Sequence, residues 1–388
     1  MELKIENFKG VRSLALDFKS NICKIVGENG AGKTTALHAI HWLYTGRHID
    51  GSNKPVIPFY YHDGNPKVTL KYNDKLIFER ECAETRELNP LTKEGYTIAK
   101  TATVCRINGE EIKERSFQEE LAKAIEQKNA TAFGIDLFKL AMNPFFLGDM
   151  GERTDWKSLR SFFVSVIGEP SYADVADCLS PSIRSYLPSE SDCVMKLDDC
   201  LKAAKQEEKK AKEEADMLAT ANIKAQREKV CPICGKALEE AEAEQVRDRA
   251  IQAGKRLQRA SSAVLALSQY SMKRCELLQG IMERALPGKC SVKTYADNMN
   301  GNREECFKIC FDGKAWSALS KSEKVRCGIE LINFFSKELG ISNALPILID
   351  EGGELTDTTL KRLQSPKRII VVKAENTGNE FPSVIDIR

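Results

Sequence analysis

Residues 21–26 are a run of β-forming residues and residues 33–44 have helical spacing; between them lies Gly27-Glu28-Asn29-Gly30-Ala31-Gly32-Lys33-Thr34-Thr35. This satisfies G-x-x-x-x-G-K-[ST], and a strand–loop–helix setting is the context in which that pattern specifies a P-loop rather than a glycine-rich turn. Gly27, Gly30 and Gly32 let backbone N–H groups curl around phosphate oxygens, with Asn29 and Thr35 completing the cradle. The following helix points its positive end at the same anion. Lys33 would bridge the β- and γ-phosphates, and Thr34 would hold Mg²⁺ through its hydroxyl. A chain carrying this loop must build an α/β layer around it, because such a loop works at the carboxyl end of a sheet strand.

A P-loop also needs a carboxylate for its metal at the end of a neighbouring apolar strand, and Leu345-Pro346-Ile347-Leu348-Ile349-Asp350-Glu351 supplies two acids. Asp350 is expected to hold Mg²⁺ and Glu351 to polarise the attacking water as general base. Acids in that position also serve as plain turn formers. Ser320-Lys321-Ser322-Glu323 opens a helix expected over 321–339. Locally it is a capping box, in which Ser320 accepts from the N–H of Glu323 and Glu323 reaches back. A helix start of this kind is an anion site as well, although a cap alone accounts for the residues.

The chain has 388 residues, long for one compact domain, so two units or one interrupted unit is expected. Runs at 3–8, 13–18, 68–72 and 76–80 read as strands, and 116–127 and 155–167 as helices. From Leu197 onward, small or apolar residues recur in fours and threes as Leu197, Leu201, Ala204, Ala211, Ala215 and Leu218, with Glu208 as a defect. The repeat resumes as Val246, Ala250, Ala253, Leu257, Ala260, Val264 and Leu267. Two arms of this kind around one tight turn predict a short antiparallel coiled coil with a thin alanine seam, each arm about 50 Å long. The plainer alternative is a pair of long solvated helices. Beyond residue 287, strands are expected at 306–311 and 315–319 around an Asp312-Gly313 turn, then at 345–349 and 368–372. The expected division is 1–190, 191–286 and 287–388.

Cys231-Pro232-Ile233-Cys234 stands at the turn between the arms. Its spacing suits zinc, but a closed site needs four ligands. No other Cys or His is near in sequence, the four His lying between 38 and 62, so two chains meeting tip to tip would complete a Cys₄ site shared between them. A redox dithiol or two idle thiols are the rival readings.

Composition narrows the setting. The 58 Lys+Arg against 56 Asp+Glu leave +2, so no overall basic field advertises nucleic acid and any DNA contact must be a local patch. Apolar runs such as Ile369-Ile370-Val371-Val372 fall far short of the roughly 18 residues of a membrane span. Glu2 and Glu6 fall where a signal peptide would be apolar. Thirteen mostly isolated Cys, an odd number, suit a reducing cytoplasm, so a cytoplasmic protein with no membrane association is expected.

Together these motifs resemble the zinc-hook ABC ATPases, the SbcC-like relatives of the SMC proteins that act in double-strand-break repair. The opening Ile5-Glu6-Asn7-Phe8-Lys9-Gly10 is similar to that group's start, and Trp156-Lys157-Ser158-Leu159-Arg160 is similar to compact phage- or prophage-type members. The resemblance implies an α/β, bipartite ABC-type P-loop ATPase head interrupted by a short antiparallel coiled coil with a CxxC zinc hook at Cys231 and Cys234. It sets Leu319-Ser320-Lys321-Ser322-Glu323 where the family has L-S-G-G-E, a signature that contacts the γ-phosphate held by the opposite subunit. Lys321 and Ser322 replace both glycines; the lysine adds charge but hinders close backbone approach. Asp350 and Glu351 match the metal-binding and catalytic acids, and Asp357 ends a loop that Gly352 to Thr356 fit poorly. Lys373 occupies the place of the family's switch histidine, and Asn143 before Pro144 stands nearest to its loop glutamine. These departures bear on the rate of hydrolysis more than on binding.

Two functions are implied. In the first, a slow ATPase using ATP, Mg²⁺ and Zn²⁺ forms a homodimer through heads and hook and acts on DNA in repair, recombination or end processing, with a separate nuclease as partner. In the second, a nucleotide-gated sensor or scaffold controls a partner effector, for example in phage defence.

Overall fold

The strand that delivers the glycine loop has Cys23, Ile25 and Val26 fully buried, and even Lys24 is only 3% exposed. Such a strand must be covered on both faces. In the computed structural model, which describes residues 1–47, 64–73, 76–88, 96–124, 131–152, 156–230, 240–297, 303–350, 352–375 and 381–387, it lies inside a four-stranded sheet.

In chain order the elements are β1 (Glu2–Phe8), β2 (Val11–Asp17), β3 (Ile22–Gly27), α1 (Lys33–Thr45), β4 (Lys67–Asn73), β5 (Leu76–Leu88), β6 (Tyr96–Ile107), β7 (Glu110–Ile112) and α2 (Glu114–Ala124). Then come β8 (Thr131–Ala132), β9 (Ile135–Asp136), α3 (Leu137–Met142), α4 (Phe146–Glu152), α5 (Trp156–Ile167), α6 (Tyr172–Asp177), α7 (Pro181–Arg184), α8 (Glu190–Met195), α9 (Leu197–Glu228) and α10 (Glu240–Ala285). The last are β10 (Cys290–Asp297), β11 (Arg303–Phe311), β12 (Lys314–Ala315), α11 (Lys321–Leu339), β13 (Ile347–Ile349), α12 (Asp357–Lys361), β14 (Ile369–Ala374) and β15 (Ser383–Ile387). They divide into two compact units, Met1–Ile167 with Ala285–Lys293 and Phe307–Arg388, and Gly168–Arg284 with Thr294–Cys306.

In the first unit the central sheet runs β13-β14-β3-β15. β14 is parallel to both β13 and β3, with Val371 beside both Ile349 and Lys24, and β15 closes the far edge antiparallel. Alternation along the strands sends Ile347, Ile349, Ile369 and Val371 to one face, where they pack with Val325, Ile329 and Ile332 of α11 and Leu360 of α12. α1 packs against β3 and β14 and also against β1 and β4. Those two strands belong to a six-stranded antiparallel sheet, β2-β1-β4-β5-β6-β7, whose inward residues Leu3, Ile5, Val68, Leu70 and Phe78 are fully buried.

Two segments of this unit differ from expectation. Residues 315–319 do not extend as a strand: β12 ends at Ala315 and Trp316–Ala318 forms a 3₁₀ turn. The cause is Trp316, 1% exposed, whose indole lies so close to Gly148 that a Cβ there would stand 2.1 Å from it. Its N–H donates to Asp149 Oδ1 at 3.1 Å. The Asp312-Gly313 turn that precedes it has φ of 51° and 76°, the left-handed pair a tight hairpin requires. β15, which the sequence pattern did not announce, follows Pro382 and finds its partner in β3.

The second unit holds the two long helices. Along α9 Ala211 of the expected seam is buried, as is Ala225 beyond it, and along α10 so are Ala253, Ala260 and Leu267. Arg256 reaches across to Glu207 at 2.6 Å and Glu214 at 2.9 Å, so the arms run antiparallel and pack side by side. At the open end, Leu197, Leu267 and Tyr270 join Val175, Leu179 and Cys193 in one apolar cluster. That cluster groups residues 168–190 with the coil, whereas the sequence pattern had put the boundary at 190.

α11 lies close against the segment after α3: a Cβ on Gly328 would fall 1.9 Å from the Pro144 carbonyl oxygen. Gly328→Ala should therefore cost about 1–3 kcal/mol by overpacking. Gly254→Ala, with nothing within 4 Å of the new Cβ, should instead be neutral or stabilise α10 by up to ~1 kcal/mol. Denaturant unfolding of the two variants checks the opposite signs.

Candidate functional site

The loop after β3 is built for an anion. Gly30 and Gly32 take φ of 86° and 94°, and a Cβ on Gly32 would stand 2.4 Å from Val11 Cγ2, so that position must be glycine. α1 starts with no side-chain cap and no acid in its first turn, which leaves its leading N–H groups without a carboxylate or hydroxyl competitor. Lys33 is 7% exposed and curls back over the loop, its Nζ donating to the Glu28 carbonyl at 2.5 Å. The Thr34 hydroxyl donates to Asp350 Oδ1 at 3.0 Å. Asp350 sits just past β13 and so reaches the loop across the width of β14.

These groups frame a cavity of about 300 Å³ lined by Asn29, Gly30, Gly32, Lys33, Thr34, Thr35, Asp350, Val372 and Ala374. One cation, a row of backbone N–H groups and a hydroxyl–carboxylate pair suit a polyphosphate and a small hard cation, which takes oxygen ligands. Gly27 packs on the lead into β15, a Cβ there falling 3.3 Å from Pro382 Cα. Asp350 also borders a second cavity of about 660 Å³, with Asn143, Asp136, Asp149, His38 and His41 among its lining. Asn143 thus shares a cavity with Asp350, but its Oδ1 accepts the Phe145 N–H at 2.9 Å and so serves the local turn.

Behind the loop lies a second polar group. Lys24 in the middle of β3 donates to Asp357 Oδ1 at 2.9 Å and Glu375 Oε1 at 3.2 Å, and Lys373 pairs with the same Glu375 oxygen at 3.2 Å. Burial alone would push the Lys24 ammonium down, but its bonds to the two carboxylates outweigh this and hold it above the ordinary lysine value. The bond from Lys24 holds the Asp357 carboxyl below its usual range. Sequence reasoning passed over Lys24 and Glu375; the available signal was a lone charge inside Ile22-Cys23-Lys24-Ile25-Val26.

At the start of α11 the capping box is complete: Ser320 Oγ accepts from Glu323 N at 3.3 Å and Glu323 Oε2 accepts from Ser320 N at 2.9 Å. Lys321 and Ser322 form the first turn after this cap. The structure brings together the P-loop and Asp350, while Ser320, Lys321 and Ser322 line neither cavity. Glu351, Cys231 and Cys234 lie outside the described residues. Among the described residues there is no cluster of three or more His, Cys, Asp or Glu able to hold a metal, and no helix is long and apolar enough to cross a membrane.

A family model described as an AAA domain matches residues 2–253. The DNA replication and repair protein RecF of Actinobacillus succinogenes is 34% identical over 109 residues, 28% of this chain and 27% of that protein. RecF of Francisella tularensis subsp. mediasiatica is 40% identical over 50 residues, 13% of this chain and 14% of that protein. The chain thus matches less than a third of the length of these relatives. Among solved structures, the Smc head domain with an extended coiled coil from Pyrococcus furiosus, bound to the C-terminal domain of ScpA, aligns over 99% of this chain and 95% of that one at 13% identity and a TM-score of 0.39. The recombination mediator RecF–ATP aligns over 97% and 92% at 16% identity and a TM-score of 0.35.

The cap at α11 generates a pH expectation. The Lys314 ammonium, 2.8 Å from Glu323, and then the Ser320 N–H and hydroxyl hold the Glu323 carboxyl down at about 2. A carboxylate depressed on folding stabilises above its unfolded value and loses that contribution only as pH falls through the folded one. The cap should therefore survive at pH 4, and an NMR titration of Glu323 should show a midpoint near 2 that rises in Lys314→Ala.

Proposed function

The chain belongs to the AAA domain family, and from that premise we propose that it binds ATP·Mg²⁺ at residues 27–35 and hydrolyses it slowly as the head of a dimeric, DNA-acting ATPase. The observation that carries this reading is the Thr34–Asp350 pair, 3.0 Å apart at the open end of α1 and beside Lys33. Lys33 would leave the Glu28 carbonyl for the β- and γ-phosphates, and the α1 N–H groups would hold the remaining oxygens. Thr34 and Asp350 would hold Mg²⁺, which when bound neutralises charge building on the phosphates. Glu351, next to Asp350 in sequence, would take the proton of the attacking water. Ser320, Lys321 and Ser322 would serve the γ-phosphate of a second copy, which accords with their absence from the lining of this chain's own cavity.

The names of the partial relatives, DNA replication and repair proteins, support DNA as the polymer acted on. With a formal charge of +2, contact would be made through a local patch and would weaken steeply with salt. Cys231 and Cys234 of two chains would share one zinc at the coil turn, and a separate nuclease would supply any cleavage. One observation favours the sensor reading instead: Lys373, in the switch-histidine position, is engaged with Glu375. That engagement suits slow turnover gating a partner effector.

Lys33→Ala should weaken ATP binding by about 10- to 100-fold through loss of a charged contact. Glu351→Gln should keep ATP but lower turnover by about 100-fold or more. Turnover measured with and without duplex DNA decides between the readings, since stimulation supports the DNA machine and indifference the sensor. The hook predicts half an equivalent of zinc per chain, removed in Cys231→Ser/Cys234→Ser together with nucleotide-free dimerisation; metal analysis and light scattering read both.

A further inference from the structure

Lys24 is the only charged residue of β3, the strand that delivers the P-loop, and its side chain is 4% exposed. A buried ammonium is costly unless it is paired, and both of its partners are carboxylates that reach in from less buried positions, Asp357 at 53% and Glu375 at 30% exposure. Asp357 opens α12 behind the Thr356 cap. Asp350, earlier on the same stretch, is bonded to Thr34.

The chain from Asp350 to Asp357, in which Glu351 stands by sequence, is therefore tied at each end to the same β3–loop–α1 element. Gly352 is pressed onto β14 between the ties, where a Cβ would stand 2.2 Å from Val371 Cγ1 and 2.9 Å from the Val372 carbonyl oxygen. Glu375 is held the same way. Its N–H donates to the Gly27 carbonyl at 3.2 Å while its carboxylate takes Lys24 and Lys373.

We propose that Lys24 is a positioning residue for hydrolysis, its ammonium fixing through Asp357 and Glu375 the two segments that flank the phosphate end of the P-loop. Substrate binding would break the Thr34–Asp350 hydrogen bond, and the Lys24–Asp357 tie then keeps the stretch after Asp350 in place for attack on the γ-phosphate. Lys24 is not among the residues that line the cavity, so its removal acts on the order of these segments and not on nucleotide affinity. The inference rests on the ATPase reading above.

The test uses the full chain with Lys24→Met, Lys24→Arg and Asp357→Asn. Lys24→Met should lower kcat by about 10- to 100-fold, the scale of a misplaced catalytic segment, with KM and Kd for ATP within about threefold of the parent. Lys24→Arg should recover most of the loss, and Asp357→Asn, whose side chain is half exposed, should reproduce the fall even where Lys24→Met does not fold. Hydrogen–deuterium exchange of the nucleotide-free proteins should be faster over 352–361 in Lys24→Met and Asp357→Asn and unchanged over 27–36. Parent-like kcat and exchange in Asp357→Asn, or an equal loss of kcat and ATP affinity with exposed P-loop amides, overturns the proposal. A parent protein without ATP turnover overturns the ATPase reading instead, and the exchange result still decides whether Lys24 holds the stretch.

Discussion

A phosphate loop must sit at the carboxyl edge of a strand that is covered on both faces, and here that demand falls on residues 22–27. Every partner of this strand comes from the far end of the chain: β14 on one side, β15 on the other, with β13 beyond. The Thr34–Asp350 contact follows from the same arrangement, because Asp350 can meet Thr34 only if β13 is placed one strand away in parallel register. The first unit is thus closed by its two ends, which leaves its middle free to carry Gly168–Arg284 as a separate compact unit.

Close approach fixes the elements around this sheet. α11 meets the Asn143–Pro144 segment through Gly328, and Gly148 meets the Trp316 indole face. The hydrophobic cluster beneath α11 and α12 is almost wholly β-branched or leucine, residues with well-defined shapes. The polar side of the site uses the opposite strategy. Lys24 is desolvated but bonded to two acids, so what burial takes away the pairing returns.

Much of this was legible in the residues. The glycine loop, its strand and helix, the Asp312-Gly313 turn and the Ser320 cap are local in sequence, so their physics is readable without the fold. The alternating fours and threes from Leu197 to Leu267 give the coiled-coil seam because a heptad repeat encodes its partner as well as itself. Failures came where long-range packing decided. Trp316 turned an expected strand into a 3₁₀ turn by burying its indole. β15 is defined by β3 and not by its own pattern, and residues 168–190 joined the coil through an apolar cluster whose other members, Leu267 and Tyr270, are far along the chain. Lys24 stands out as a lone charge in an apolar run, but the run gives no hint of the two acids, more than 300 positions away, that make its burial tolerable.

The pairing of β3 with β15 also sets a timetable for synthesis. Ser20, at the mouth of β3, donates to Asp386 in β15, 366 positions later. At ~5–20 residues per second, a ribosome needs about 20–70 s to cover that distance. Throughout that interval β3 has emerged without either neighbour, whereas the arms of the coil are close in sequence and can pair as soon as both have left the tunnel. β3 therefore waits for its sheet, with its apolar residues open to chaperones, or to another chain's unpaired edge, until β15 arrives.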